Sequence, residues 1–198
     1  MPILFTRNLI CFLVLILLLP LMLLASILIF IEDGFPIFFK QRRIGKNKEI
    51  FTIYKIRTMK NNTPELGTHQ INKNFLLKVG RFIRAIKLDE FPQLVNVIKG
   101  EINLVGPRPG LENQYLLKEE RDKRSIFDVK PGITGLSQIL GYDMSNPQKL
   151  AEIDMNYIEK RTNYLNFLIL LGTFFPLIKN YLVNKIGVSK NLKVIKNV

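Results

Sequence analysis

"NLICFLVLILLLPLMLLASILIFI" occupies residues 8–31 and contains no charged side chain. About 20 consecutive apolar residues suffice for a helix to cross the hydrocarbon of a bilayer, so this stretch is long enough. A cleaved leader has a shorter apolar core, roughly 7–15 residues, followed by a small-residue cleavage site. Ala25 and Ser26 are small, but apolar residues continue past them, which argues against cleavage. Two topologies remain: a helix that spans, and one that enters a single leaflet and returns. Pro20 lies near the midpoint, where it deletes a backbone hydrogen bond and crowds the carbonyl one turn back. Arg7 precedes the stretch, while Lys40, Arg42 and Arg43 follow it. Flanking cations tend to stay cytoplasmic, so both ends are drawn to the same side. These facts fit a bend at Leu19-Pro20. Residues alone leave the two topologies even, because spanning helices also tolerate proline.

Charge narrows the partners. Lys plus Arg number 29 against 16 acids, a formal net charge of +13 over 198 residues. Such a surplus selects an anionic partner: nucleic acid, lipid headgroups or phosphorylated substrates. Beside a membrane segment, cations are attracted to the anionic cytoplasmic leaflet, and no nucleic-acid recognition motif competes with that reading. The single cysteine, Cys11, excludes an internal disulfide. The single histidine, His69, sits in the polar stretch "NNTPELGTHQINKN" (61–74), so it gives no basis for a multi-histidine metal cluster.

Beyond residue 33 the length suits one further domain, with a fold class of α+β, mostly helical. "IFFKQRRIG" (37–45) and "EIFTIYKIRTM" (49–59) read as a hairpin around the turn residues 46–48. Alternation puts Phe51, Ile53, Lys55 and Arg57 on one face of the second strand. "NFLLKVGRFIRAIK" (74–87) repeats Phe75, Val79, Phe82, Ile83 and Ile86 at helical spacing, with Arg81 and Arg84 beside the stripe. Either the membrane interface or ordinary core packing accounts for it. Residues 147–163 form a charged amphipathic helix, and "YLNFLILLGTFFPLI" (164–178) is apolar but short for a crossing. With Gly172 and Pro176 as interruptions, it reads as either a buried or an interfacial helix, the interface being favoured.

"KLDEFPQLVNVIKGEINLVGPRPG" (87–110) carries the candidate chemistry. A helix starting near Leu88 has Asp89 and Glu90 in its first turn, where Pro92 is tolerated and negative charge suits the dipole. Pro107 and Pro109 hold the backbone of Arg108 extended, presenting a guanidinium suited to bidentate phosphate recognition.

Five blocks together resemble the bacterial sugar transferases, the small monotopic phosphoglycosyl transferases: "FKQRRIG" (39–45), "FTIYKIRTM" (51–59), "VGRFIR" (79–84), "LDEFPQLVNVIKGEINLVGPRP" (88–109) and "VKPGITGLSQILG" (129–141). The resemblance implies a re-entrant helix over residues 1–33 and a catalytic domain over 34–198 on the cytoplasmic face of the bacterial inner membrane. It implies transfer of a phosphosugar from a UDP-sugar to a polyprenol phosphate, with release of UMP. Asp89 and Glu90 correspond to the catalytic dyad, Asp89 attacking the β-phosphate and also meeting Mg²⁺ or Mn²⁺, and Glu90 assisting either through the metal or through proton transfer. A carboxylate nucleophile splits one transfer into two steps, and the metal neutralises the diphosphate. Substrate contacts are expected from Arg108 with Pro107 and Pro109, and from Arg43, Lys55, Arg57, Arg84 and Gln138. Anionic lipids and downstream glycosyltransferases are the expected neighbours.

The chain departs from the family pattern at four positions. Lys87 stands where a Ser or Thr usually precedes the acids, Leu19 where a Ser usually precedes the membrane proline, and Lys130 where Arg is frequent; Tyr142 replaces another common Arg. A catalytically silent scaffold for glycan-assembly enzymes is the alternative; the intact acid pair with Arg108 favours the enzyme.

Overall fold

The computed structural model describes residues 2–64 and 72–185; His69 and the basic C-terminal tail lie outside them. Helix α1 runs Pro2–Asp33 without interruption, Pro20 included. Its 32 residues correspond to about 48 Å of helix measured along the axis. It is long and apolar enough to cross a membrane by length and composition.

Much of α1 is uncovered, yet one stripe packs against the rest of the chain. Cys11 joins Leu94, Val97 and Ile102 in one core cluster, while Met22, Ala25 and Ile29 join Ile56, Leu77, Ile83 and Leu88 in another. Polar contacts fasten both ends. Arg7 Nη2 donates to the Val97 carbonyl at 3.2 Å, and at the other end Arg57 Nη1 bonds the Asp33 carboxylate. Glu32 accepts from the amides of Lys78 and Val79 at 2.7 and 3.0 Å. The apolar helix is therefore strapped to one body near each of its ends.

Strands β1 (Phe38–Ile44) and β2 (Ile50–Ile56) pair antiparallel in the expected hairpin, Phe38 facing Ile56 and Ile44 facing Ile50. Helix α2 (Lys78–Ala85) is shorter than the sequence suggests, and its apolar stripe divides. Gly80 and Ile83 are buried, whereas Phe82 remains 64% exposed. A Cβ on Gly80 would lie 2.3 Å from the Thr58 carbonyl oxygen, so the close approach to the end of β2 requires glycine.

Leu88–Gln93 is a 3₁₀ turn, followed by the one-and-a-half-turn α3 (Leu94–Lys99). Gly100 ends α3 in the left-handed conformation, a common helix stop. Strands β3 (Asn103–Val105) and β4 (Gly132–Thr134) then pair in parallel, a second sheet that residue pattern did not reveal. Its backbones approach closely enough that a Cβ on Gly132 would stand 2.1 Å from the Gly106 nitrogen.

Between and after those strands lie α4 (Tyr115–Asp122), α5 (Leu136–Ile139), α6 (Pro147–Lys160), α7 (Asn163–Phe174) and α8 (Pro176–Lys185). Asn146 and Thr162 cap α6 and α7 through side-chain oxygens. The apolar segment 164–178 breaks before Pro176, as expected, but not at Gly172. That glycine is buried inside α7, where a Cβ would meet the Leu182 side chain of α8 at 3.2 Å. Tyr164, Phe167, Phe174, Phe175 and Leu177, along α7, its joint and the start of α8, are exposed.

Candidate active site

The acid pair enters the fold on a forced backbone. Lys87 adopts φ 62°, ψ 15°, and its side chain offers no cap. A left-handed lysine is uncommon, and it turns the chain sharply out of α2. Leu88 is buried beneath, and Asp89 and Glu90 face a cleft of about 710 Å³. Strand β2 contributes Lys55 to the same cleft, β1 Arg43, α2 Arg84, and the turn after β3 Arg108. Of the residues expected to meet substrate, these four cations converge on the acids.

The two acids have opposite surroundings. Glu90 Oε1 accepts from Lys55 Nζ at 2.8 Å and lies 3.5 Å from Arg108 Nη1. Burial alone would raise its pKa, but Lys55 and Arg108 reverse that and bring it to about 2. Burial raises Asp89 and the neighbouring Glu90 charge adds to the effect, with Lys55 and Arg84 opposing. Among the described residues no donor reaches the Asp89 carboxylate, although it lines the cleft. One acid is thus neutralised by a fixed cation pair, and its neighbour offers open oxygen lone pairs. Environments that push paired carboxylates apart assign them different roles.

Arg108 is held by more than its prolines. Arg121 Nη1 donates to the Arg108 carbonyl at 2.8 Å, Arg43 Nη1 to the Pro109 carbonyl at 3.0 Å, and the Ile44 amide to the Gly110 carbonyl at 3.0 Å. Three consecutive carbonyls are therefore anchored from β1 and α4. Arg43 is buried, and that burial, with Arg108 and Arg121 nearby, pulls its pKa down to about 9. Arg121 in turn forms a buried ion pair with Asp154 of α6 at 2.6 Å, and Ser137 donates to the other Asp154 oxygen at 2.9 Å.

Two expectations change. Arg57 lines the cleft, but its guanidinium is committed to Asp33 and to the carbonyls of Gly34, Pro36 and Met59, so it ties β2 to the end of α1. Gln138 lies outside the cleft, its amide donating to the Ile133 carbonyl at 3.2 Å. The Arg121–Asp154–Ser137 chain escaped the sequence. A signal existed: Asp154 falls on the buried stripe of α6 with Leu150, Ile153 and Tyr157, where an unpaired acid would be costly.

Among the described residues no group of three or more His, Cys, Asp or Glu is arranged to hold a metal. Mg²⁺ needs less, because it takes one or two carboxylates and fills its remaining positions with phosphate oxygens and water. Asp89, open to the cleft, fits that requirement; Glu90, bound to Lys55, does not.

A family model described as Bacterial sugar transferase matches residues 5–180. The uncharacterized sugar transferase EpsL of Bacillus subtilis (strain 168) is 41% identical over 143 residues, covering 72% of this chain and 70% of that protein. The UDP-N-acetylgalactosamine-undecaprenyl-phosphate N-acetylgalactosaminephosphotransferase of Aeromonas hydrophila is 34% identical, covering 82% of this chain and 40% of that protein. The UDP-glucose:undecaprenyl-phosphate glucose-1-phosphate transferase of Caulobacter vibrioides is also 34% identical, over 78% of this chain and 61% of that protein.

Proposed function

This chain belongs to the bacterial sugar transferase family, and from that premise we propose that it transfers a phosphosugar from a UDP-sugar to undecaprenyl phosphate, releasing UMP. The observation that carries the reading is the division of labour inside one basic cleft: Glu90 is bound by Lys55, while no donor among the described residues reaches the Asp89 carboxylate. In the first step an Asp89 oxygen forms a bond to the β-phosphorus. The bond from that phosphorus to the bridging oxygen breaks, and its electron pair leaves with UMP. In the second step a phosphate oxygen of the lipid attacks the same phosphorus and the Asp89 carboxylate is regenerated. This is covalent catalysis by an activated carboxylate.

Arg108 is suited to bind a phosphate oxygen through its planar fork, with Glu90 aligning it from 3.5 Å. Lys55, Arg43 and Arg84 offset the charge of the diphosphate around it. Mg²⁺ or Mn²⁺ held by Asp89 and substrate oxygens would neutralise the leaving group and orient it. The Aeromonas and Caulobacter names specify different sugars on one lipid, so the nucleotide sugar is the variable part.

Membrane attachment through α1 belongs to the same reading, with residues 1–33 as anchor and 34–198 as catalytic domain facing the cytoplasm of a bacterial inner membrane. Re-entrant insertion is favoured because Arg7 and Asp33, near opposite ends of α1, both bond the same body. Exposed rings on α7 and α8 supply a second interfacial contact, in keeping with the preference of aromatic side chains for the headgroup level.

The test is purified enzyme, a panel of UDP-sugars, undecaprenyl phosphate and Mg²⁺, scored for UMP and for lipid-linked product. Product from at least one sugar, lost with a chelator and with Asp89→Asn, is the expected result. Undiminished turnover by Asp89→Asn would remove the nucleophile assignment.

A further inference from the structure

Behind the acid turn lies a second cavity of about 250 Å³. Its walls are Ile10 and Val14 of α1, Leu170 and Phe174 of α7, and Ile133 of β4. The polar atoms at its edge are withdrawn: Thr134 and Thr173 bond each other at 2.8 Å, and Thr173 also donates to the Ile169 carbonyl at 2.9 Å. The Phe174 ring stacks on Phe91 with centroids 6.5 Å apart, closing one side. Its interior is therefore almost wholly apolar. The helices that form it and the joint after α7 expose Ile10, Leu13, Phe167 and Phe175, side chains suited to lipid rather than water.

Lys87 and Glu90 line this cavity and the basic cleft alike. The acid turn is therefore a partition, with a cation-lined cleft on one face and a hydrocarbon-lined groove on the other. A nucleotide sugar has no use for such a groove. A phosphate monoester carried on a long branched hydrocarbon matches both faces at once, because its head is anionic and its tail apolar. The two-step reaction also requires donor and acceptor to reach Asp89 in turn, which separate approaches permit.

We propose that this groove seats the first isoprenoid units of the acceptor lipid, with Lys87 at its mouth holding the acceptor phosphate. The assignment rests on the transferase reading above and deepens it. Lys87 is the residue that replaces the family's usual hydroxyl, and its left-handed backbone fixes it at the junction of the two spaces. A phosphate there is within the field of a cation that Glu90 does not already bind, since Lys55 occupies Glu90. The groove takes only the beginning of a polyprenyl chain, and the remainder continues along the exposed apolar faces of α1 and α7.

Filling the groove should act on the acceptor alone. Leu170→Trp and, independently, Val14→Phe are expected to raise the KM for undecaprenyl phosphate about tenfold, the effect of losing a few buried methylenes. UMP release from UDP-sugar in the absence of acceptor should proceed, and the KM for a short-chain isoprenyl phosphate, which has little tail to lose, should change little. Lys87→Gln should raise the KM for both acceptors. Unchanged KM values in both fillers, with the proteins folded by circular dichroism, overturn the assignment. Loss of acceptor-free UMP release in step with transfer does so too, since the groove would then serve the structure of the cleft. If the fillers reduce binding to anionic phospholipid vesicles and leave the acceptor KM unchanged, the occupant is a membrane acyl chain and the proposal is wrong. Wild-type enzyme that releases no UMP from any UDP-sugar would instead remove the transferase reading on which the proposal rests.

Discussion

The Arg121 guanidinium, on α4, donates a 2.8 Å hydrogen bond to the main-chain carbonyl of Arg108 in the turn after β3. Its charge is balanced by Asp154, both side chains being nearly fully buried. The pair therefore converts a buried ion pair into a fixed position for a cleft residue. Asp154→Asn should cost about 3 kcal/mol of stability, because it strands a buried guanidinium. Arg121→Lys retains the charge and loses the second donor. It should keep the fold, slow acceptor-free UMP release about tenfold, and change the KM for UDP-sugar more than the melting temperature. A melting temperature that falls while the kinetics of the surviving protein stay normal would refute the positioning role.

Asp89 and Glu90 should respond to neutralisation with opposite signs of stability. Asp89 has a raised pKa in the fold, so its contribution is present below the unfolded value of 3.8 and is lost as pH rises through the folded value. Glu90 has a folded pKa of about 2 against 4.5, so its contribution is present above 4.5 and is lost as pH falls towards 2. At pH 7, in the presence of a chelator, Asp89→Asn should melt higher than wild type. Glu90→Gln should be less stable by about 1–3 kcal/mol and melt lower, since Lys55 loses its charged partner. Thermal denaturation of both variants decides the matter, and destabilisation of both would contradict the division of roles.

Gly132→Ala should abolish the folded state. Its Cβ would sit 2.1 Å from the Gly106 nitrogen, an overlap that backbone on both sides cannot relieve. Gly132 also donates to the Pro107 carbonyl at 2.9 Å, so the displacement would reach the turn that carries Arg108. Overpacking typically costs about 1–3 kcal/mol, and more where, as here, backbone on both sides must move. Soluble expression at the wild-type melting temperature would show that the two short strands separate more easily than their geometry indicates.

Topology can be read by chemical labelling. In a Cys11→Ser background, single cysteines at Thr6 and Phe35 should both resist an impermeant thiol reagent in intact cells. Both should react in inverted membranes. Reaction of only one in each preparation would establish a spanning helix and would leave the contacts of Arg7 and Asp33 with a common body unexplained.

Much of this protein is legible along the chain. The apolar run 8–31, the hairpin periodicity and the amphipathic helix from Pro147 are all local patterns, and each is found there, although that last helix ends at Lys160 rather than 163 and the acid pair opens a 3₁₀ turn rather than an α-helix. They are legible because helix and strand periodicity and capping depend on neighbours within a few positions. Block order likewise brought Asp89, Glu90, Lys55 and Arg108 to attention, and they share one cleft.

Partner choice is different, because nothing local decides it. Lys55 and Arg57 alternate onto the same face of one strand and look equivalent, yet Lys55 binds Glu90 and Arg57 binds the end of α1. The difference depends on which element passes over each end of β2. Strands β3 and β4, three residues each and glycine-flanked, are too short to show a period and exist because two backbones meet without intervening Cβ atoms. Arg121 and Asp154 are unremarkable charges on two amphipathic helices until α4 and α6 pack together and exclude water from both. The sequence by itself determined the long apolar helix, the hairpin and the placing of two acids at the start of a turn. Tertiary packing alone decided which carboxylate is saturated and which is left open, because burial and charge pairing over long separations outweigh local pattern.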